Sequence, residues 1–177
     1  MNYRIVISGG PCSGKTSLLR ALQEQGFTVH DETVRSLVKD AGGFPIRNKK
    51  ARKSGSFFRN VLKRRIEQFL EAPTDNFSFF DRGLPDSLAY MKFMGSRVPA
   101  LLNESIKKYR YNNTVFLLPP WQEIYSNDAK RKESFEEAQL IFNYLKEAYN
   151  ESGYMILELP KVSVNERVNI ILSKIIQ

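Results

Sequence analysis

The stretch Gly9-Gly10-Pro11-Cys12-Ser13-Gly14-Lys15-Thr16 decides how this chain folds. It matches the pattern G-x-x-x-x-G-K-[ST], in which backbone N–H groups and a lysine surround phosphate oxygens. The apolar run at residues 3–8 predicts a buried strand before it, and the leucines within residues 15–25 predict a helix after it. Because strand, glycine loop and helix follow in the order that the pattern requires, the sequence predicts a phosphate-binding loop rather than a chance glycine turn.

This loop carries the residues that we expect to hold a nucleotide and its metal ion. Lys15 is predicted to bridge the β- and γ-phosphates, and the Thr16 hydroxyl to bind Mg²⁺, which needs only one or two protein oxygens. ATP is favoured over GTP, because the stretch Asn48-Lys49-Lys50-Ala51 lacks the carboxylate of a guanine-reading motif. The expected cofactors are therefore ATP and Mg²⁺. The loop residues predicted to contact the nucleotide are Gly9, Gly10, Pro11, Cys12, Ser13, Gly14, Lys15, Thr16 and Ser17.

The rest of the chain alternates between predicted strands and predicted helices. Strands separated by helices indicate βαβ units and a parallel sheet that is covered on both faces. The predicted fold is therefore an α/β P-loop NTPase with three layers, α/β/α, and a five-stranded parallel sheet, and ligands are expected at the carboxyl ends of its strands. Further strands are predicted at residues 27–30, 77–80, 114–118 and 154–159, and further helices at 33–39, 56–70, 84–94, 100–109, 133–150 and 164–176.

Length and composition limit the class of protein. The 177 residues, 42% of them hydrophobic and 12% aromatic, fit a single domain spanning residues 1–177 and exclude a disordered or collagen-like chain. The single cysteine, Cys12, excludes an internal disulfide. No apolar run reaches the roughly 18 residues that a membrane-spanning helix needs. We expect a cytoplasmic protein without a membrane span.

Positive charge is concentrated in one segment. Residues 47–65 hold nine Lys or Arg and no acid, whereas the rest of the chain is almost neutral within a net charge of +8. The sequence therefore predicts a basic insertion or lid at about residues 42–65 rather than a uniformly basic surface. This segment would either hold an anionic partner, such as nucleic acid or anionic lipid, or form a solvated helix face.

A carboxylate closes the third predicted strand. Asp81 follows the apolar residues 77–80, at the place where phosphate-loop proteins hold an acid near Mg²⁺. Arg82 comes next, so the acid pair that activates water in motor and remodelling ATPases is missing. An Asp-Arg pair suits phosphoryl transfer to a small molecule, because the arginine braces the acceptor or the transferred group. The structural alternative is a strand-end ion pair or a helix N-cap.

The acceptor side is predicted at the end of the second strand. Glu32 is interpreted as a general base or as a residue that orients the acceptor hydroxyl. Asp31 is a second carboxylate for the acceptor, or equally the N-cap of the helix predicted at residues 33–39. Arg35, one turn further on, is predicted to hold an acceptor anion.

Two later segments are predicted to cover the nucleotide. A small lid is expected at about residues 121–132, where the cations of Lys130-Arg131-Lys132 would close onto the transferred phosphoryl group and exclude water. A solvated helix start is the alternative for these three cations. After the fifth strand, Pro160 and Val162 are predicted to support the nucleotide base.

With these residues in place, the chain resembles the small P-loop ATPases of the NadR-like "AAA domain" group, related to the ribosylnicotinamide kinase domain of NadR and to nucleoside and nucleotide kinases. The resemblance implies ATP binding on a kinase-like fold and places Asp86 on the substrate side. It also implies site roles for Asp81, Arg82 and Arg131. The resemblance rests on residues 9–16, on residues 79–90, on Pro119-Pro120-Trp121 with Tyr125, Asp128 and Arg131, and on Leu159-Pro160 leading into residues 164–168.

Two functions of different classes follow from these observations. The first is a Mg-ATP-dependent kinase for a small nucleoside- or nucleotide-like metabolite, with ribosylnicotinamide kinase-like chemistry as one form of it. The second is a nucleotide-gated switch that hydrolyses slowly and reports ATP or GTP to an anionic partner through residues 47–65. Binding of that partner would depend steeply on salt concentration.

Overall fold

The computed structural model describes residues 2–11, 13–34, 55–124 and 134–176. All five predicted strands are present, with small shifts at their ends. Of the helix predicted at residues 33–39, only the first two residues are described. In chain order the elements are β1 (Arg4–Gly9), α1 (Lys15–Glu24), β2 (Thr28–His30), α2 (Gly55–Glu71), β3 (Ser78–Asp81), α3 (Leu84–Phe93), α4 (Ala100–Lys108), β4 (Thr114–Leu118), a 3-10 turn (Gln122–Ile124), α5 (Phe135–Glu151), β5 (Met155–Glu158) and α6 (Val164–Ile175).

The five strands form one parallel sheet in the order β2-β3-β1-β4-β5. Strand β1 lies at the centre, and the register pairs Ile7 with Asp81 on one side and Gly9 with Leu118 on the other. The carboxyl ends of β1, β3 and β4 therefore meet at the same edge of the sheet. This arrangement confirms the predicted α/β fold with a parallel sheet.

Apolar residues cover both faces of the sheet because successive strand side chains point to opposite sides. Ile5 and Ile7 of β1 face helices α1 and α6, whereas Val6 faces the layer that contains α3, α4 and α5. The three predicted layers are thus present. In the part of the chain that the structure describes, no helix is both long and apolar enough to cross a membrane. Other fully buried side chains of the two cores include Leu18, Leu22, Phe116 and Ile171 on the first side and Leu84, Leu102, Leu117 and Tyr149 on the second.

Serine caps fix where the last two helices begin. The Ser134 hydroxyl accepts from the Glu137 N–H at 3.2 Å, and the Glu137 carboxylate accepts from the Ser134 N–H at 2.9 Å. Ser163 and Glu166 repeat this reciprocal capping box at the start of α6. The boxes satisfy helix N–H groups that otherwise have no partner, so both helices begin close to their predicted starts.

The basic segment divides into described and undescribed parts. Residues 47–54 lie outside the described residues, as does most of the predicted lid at 121–132. Within α2, Lys63 and Arg64 form partly exposed ion pairs with Glu67 on the same helix. Arg65 is only 3% exposed, in contrast to the solvated or partner-facing position proposed for this segment. It therefore belongs to the interior of the fold.

Candidate functional site

Glycines shape the loop between β1 and α1. Gly9 has a φ of 153°, and a Cβ there would lie 2.6 Å from the Leu118 carbonyl oxygen of the neighbouring strand. Gly14 precedes α1 with a φ of 86°, in the left-handed region that disfavours other residues. Ser13 is buried, and its hydroxyl donates to the Gly10 carbonyl at 3.0 Å. Of the predicted loop residues, only Cys12 falls outside the described ranges.

Lys15 folds back onto the loop that it follows. Its Nζ donates to the Gly9 and Gly10 carbonyl oxygens at 2.9 and 3.0 Å, and the residue is 8% exposed. Burial, together with the nearby positive charge of Arg82, lowers the pKa of Lys15 to about 8. A cation placed in this way gains charge stabilisation when a phosphate chain enters the loop.

Asp81 ends β3, next to the strand that leads into the same loop. Its Oδ1 is buried without a hydrogen-bond partner. Burial raises the pKa of Asp81, while the positive charge of Lys15 acts in the opposite direction. A buried carboxylate oxygen without a donor fits a site that a metal-bound water would complete, and the exposed Thr16 would supply the second oxygen. Within the described ranges, no group of three or more His, Cys, Asp or Glu side chains is placed to hold a metal ion.

Arg82 lies in an unusual backbone conformation between Asp81 and helix α3. Its φ is 77°, and among the residues described it alone combines a positive φ with a side chain. The Nε donates to Oε1 of Glu32 at 3.0 Å, and Nη1 lies 3.4 Å from Oδ1 of Asp86. The guanidinium also lies over the Tyr90 ring, 5.1 Å from its centroid. Two carboxylates and one ring thus hold a cation that is 8% exposed.

Asp86 is completely buried at the start of α3. Its Oδ1 accepts from the Ser8 hydroxyl at 2.6 Å, and its Oδ2 accepts from the Gly83 N–H at 2.8 Å and from the Tyr149 hydroxyl. Asp86 therefore caps the start of α3 through the Gly83 N–H. Its substrate-binding role stays a prediction, and every contact described for it is with the protein itself.

The acceptor side is built by β2 and α2 together. The Thr33 hydroxyl donates to Oε1 of Gln68 at 2.9 Å, and Nε2 of Gln68 donates to the Asp31 carbonyl at 3.0 Å. The Asp31 side chain is exposed, whereas the Glu32 carboxylate is only 14% exposed because it faces Arg82. The structure therefore brings Glu32, and not Asp31, into contact with the arginine of the site.

The remaining predicted residues fall into two groups. Pro160 is exposed and Val162 half-buried in the loop that follows β5. Arg35 and Arg131 lie outside the described residues, as do the neighbouring lid cations. Their roles stay predictions.

A family model described as "AAA domain" matches residues 4–167. The chain belongs to this AAA-domain family. The resemblance drawn from the sequence is thereby confirmed. Comparison with curated proteins finds no match.

Solved structures show which fold this AAA-domain chain has. Deoxyadenosine kinase from M. mycoides with bound dATP is similar at a TM-score of 0.70 and 16% identity, over 99% of this chain and 100% of that one. NadR in complex with NR is similar at a TM-score of 0.72 and 14% identity, over 97% of this chain and 50% of that one. Shikimate kinase from Acinetobacter baumannii in complex with shikimate is similar at a TM-score of 0.63 and 17% identity, over 99% of this chain and 94% of that one. The AAA-domain chain thus has the P-loop kinase fold.

Two buried arginines of the AAA-domain chain were not predicted as site residues. Arg65 Nη1 donates to the Gly83 carbonyl at 2.6 Å and to the Ser87 hydroxyl at 2.7 Å, which fixes α2 against the start of α3. Arg167 Nη1 donates to the Ser13 carbonyl at 3.1 Å, from helix α6. Helical spacing carried a signal for both, because each lies on the apolar face of its helix.

Arg167 joins three loops at the base of the phosphate loop. While Nη1 donates to Ser13, the Nε of Arg167 donates to the Pro160 carbonyl at 2.8 Å. The guanidinium also lies 4.8 Å from the centroid of the Trp121 ring. A Cβ at Gly14 would lie 3.1 Å from Arg167 Nη1. The predicted base-supporting loop and the phosphate loop are thus tied to one side chain.

Proposed function

We propose that this chain is a Mg-ATP-dependent kinase that transfers the γ-phosphoryl group of ATP to a small nucleoside- or nucleotide-like metabolite. The observation that carries the proposal is that the register of β1 with β3 brings two buried cations, Lys15 and Arg82, to the carboxyl edge of the sheet. Burial, together with the charge of Arg82, lowers the pKa of Lys15 to about 8. Like charges held together in a buried site repel each other, and a polyphosphate placed between them removes that cost.

The other site residues have complementary roles in this proposal. When bound, Mg²⁺ neutralises charge on the β- and γ-phosphates. Thr16 and the buried Oδ1 of Asp81 hold the ion and its water. Glu32 orients the acceptor hydroxyl, and its pair with Arg82 keeps the arginine directed at the transferred group. Arg35 serves the acceptor side with Glu32, Arg131 closes over the phosphates, and Pro160 with Val162 supports the base.

The class of acceptor is proposed from two features. Asp81 is followed by Arg82 rather than by a second acid, which favours transfer to an acceptor over dedicated hydrolysis. Solved structures of similar fold include one with bound dATP and one with NR, which supports a nucleoside-like acceptor. Another holds shikimate, so the test includes a hydroxylated acid. We propose that the reaction takes place in the cytoplasm.

The deciding experiment offers the purified protein a panel of acceptors. Protein is incubated with Mg-ATP alone or with nucleosides, nucleotides, nicotinamide riboside or shikimate, and ADP and new phosphorylated masses are followed together. ADP that depends on an acceptor, with a new product mass, is expected. Tight ATP binding with slow turnover, whatever is added, would overturn the kinase assignment in favour of a nucleotide-gated switch.

A variant separates binding from chemistry. Arg82→Ala is expected to lower turnover about a hundredfold or more, because arginines on the transferred phosphoryl contribute at this scale, while ATP affinity changes little. Lys63→Ala, which removes an exposed cation of helix α2, is the control and is expected to leave turnover unchanged. Equal loss of ATP binding and turnover in Arg82→Ala would mean that Arg82 acts on the nucleotide alone.

A further inference from the structure

One buried carboxylate connects the phosphate-loop strand with the arginine of the site. Asp86 accepts from Ser8, which directly precedes Gly9 of the loop, and the same Oδ1 faces Arg82. Its other oxygen is held by the Gly83 N–H and by the hydroxyl of Tyr149, which comes from helix α5. Three elements therefore orient this carboxylate, and only one of its neighbours is a cation.

The backbone at Gly83, which donates to this carboxylate, packs closely against its neighbours. A Cβ at Gly83 would lie 3.0 Å from the Tyr149 hydroxyl and 3.2 Å from Val6 Cγ2. Burial raises the pKa of Tyr149 well above its ordinary value, and the negative charge of Asp86 raises it further, so the hydroxyl keeps its proton and donates. The Asp86 carboxylate is thus fixed in one orientation by neutral donors.

Arg82 needs such a fixed partner. Its left-handed backbone is an unfavourable conformation for a residue with a side chain and persists only where the surroundings enforce it. The Arg82 N–H donates to the Ile7 carbonyl at 3.0 Å, which holds the backbone against β1. The side chain is then placed between Glu32 and Asp86.

We propose that Asp86 and Tyr149 act together as positioning residues, which hold the Arg82 guanidinium in the orientation that phosphoryl transfer needs. This inference rests on the proposed kinase function, and it gives Asp86 an indirect role in place of substrate contact. Tyr149 lies outside every sequence motif of the site. Its hydroxyl acts through Asp86 and touches neither the nucleotide nor the acceptor.

The test removes one hydroxyl at a time. Tyr149→Phe deletes the donor to Asp86 and keeps the ring. Tyr154→Phe is the matched control, because this buried hydroxyl is bonded to the Tyr111 N–H at 3.3 Å and has no contact with Asp86. Asp86→Asn is the second variant of the network. For each protein, kcat and the KM for ATP are measured with the acceptor found in the panel, and the hydrogen exchange of arginine Nε–H groups is measured by NMR.

Tyr149→Phe is expected to lower kcat about tenfold with the KM for ATP almost unchanged, as expected for the loss of one hydrogen bond to a charged group. The Nε–H of Arg82 should exchange about tenfold faster, whereas that of Arg167, bonded to Pro160, serves as the internal reference and should not change. Tyr154→Phe should leave both readouts as in the parent protein. A lower melting temperature in Tyr149→Phe without a change in kcat or in Arg82 exchange would overturn the proposal.

The exchange measurement also separates this inference from the proposed function. It needs no turnover, so it decides the role of Asp86 and Tyr149 in holding Arg82 even if no acceptor is phosphorylated. If the panel gives no product and Arg82 exchange still accelerates in Tyr149→Phe, the kinase assignment fails while the positioning contact stands. If Asp86→Asn does not fold, Tyr149→Phe alone gives the answer.

Discussion

The guanidinium of Arg167 donates to the carbonyl oxygen of Ser13 at 3.1 Å, across 154 residues of sequence. This bond connects helix α6 with the phosphate loop. A donor that holds the Ser13 carbonyl fixes the backbone of this loop, whose N–H groups would surround the phosphates. Arg167 therefore belongs with the site, although it carries no role in the reaction itself.

Replacing Arg167 by lysine should weaken ATP binding. A lysine cannot donate to the Ser13 and Pro160 carbonyls in the fixed fork geometry of a guanidinium. We expect about a tenfold rise in the Kd for Mg-ATP, together with a loss of about 1–3 kcal/mol in the free energy of unfolding. Calorimetric titration measures the Kd, and the emission of Trp121, the single tryptophan of the chain, reports the lost contact.

Arg110→Lys is the matched control for this change. Arg110 also donates to a backbone carbonyl, that of Ser152 at 2.6 Å, and lies 3.8 Å from the centroid of the Tyr154 ring. It does so at the amino edge of the sheet, away from the loop. We expect a comparable loss of stability with unchanged ATP affinity. Equal ATP affinity in both variants would contradict the role given to Arg167.

Gly14→Ala should separate backbone strain from loss of function. The φ of 86° makes any side chain unfavourable by roughly 1–2 kcal/mol. A methyl group would also lie 3.1 Å from Arg167 Nη1, so the guanidinium must move by a few tenths of an ångström. Gly26→Ala has nearly the same φ, 89°, with nothing within 4 Å of the added atom. Thermal unfolding should show similar losses for both variants, and only Gly14→Ala should weaken Mg-ATP binding, by about tenfold or more. The loop assignment is contradicted if Gly26→Ala weakens ATP binding as much.

The sheet and the phosphate loop could be predicted because both depend on local patterns. The strand at residues 4–9 is a short apolar run, and the loop's glycines are required by φ values that the motif itself implies. The register of β1 with β3 and β4 then places Asp81 beside the loop, as the topology rule predicts. Each of these steps needs only neighbouring residues or the order of the strands.

The network around Arg82 could not be predicted in the same way. Residue propensities disfavour a positive φ at arginine, and here Tyr149, Asp86 and Arg65 enforce the conformation of the turn from three different helices. Which polar atoms meet depends on how the helices pack, at a scale of tenths of an ångström. Sequence spacing places Arg65 on the apolar face of its helix but gives no information about its partner, the Gly83 carbonyl.

Glu32→Gln should show which carboxylate serves the acceptor. The amide keeps the shape of Glu32 but removes the charge that pairs with Arg82, and it cannot accept a proton from the acceptor. We expect phosphoryl transfer to fall about a hundredfold or more, with ATP affinity almost unchanged. Asp31→Asn, at an exposed side chain one residue earlier, is the control and should change transfer less than about threefold. A coupled assay of ADP formation measures the rate of phosphoryl transfer in both variants. A larger loss in Asp31→Asn would assign the acceptor contact to Asp31.

Lys15 should make the stability of the nucleotide-free protein rise with pH in the alkaline range. Burial lowers the pKa of Lys15 from 10.5 to about 8 in the folded chain. Between these values the unfolded chain binds more protons than the folded one, so the free energy of unfolding increases with pH across this window, by about 3 kcal/mol in total. Chemical denaturation at pH 7.5 to 10.5 measures the slope. Lys15→Met, which has no titrating group there, should lack this contribution.

The same depressed pKa predicts that ATP binding takes up a proton. The phosphate chain stabilises the ammonium form of Lys15 and raises its pKa, so a lysine that is largely neutral above pH 8 becomes protonated when Mg-ATP binds. Titration calorimetry at about pH 8.5, in buffers that differ in ionisation enthalpy, should give proton uptake of roughly half a proton or more per ATP bound. Affinity should fall as the pH rises above 8, and Lys15→Met should bind weakly without proton uptake. Identical heats in all buffers would mean that Lys15 is already charged in the nucleotide-free loop.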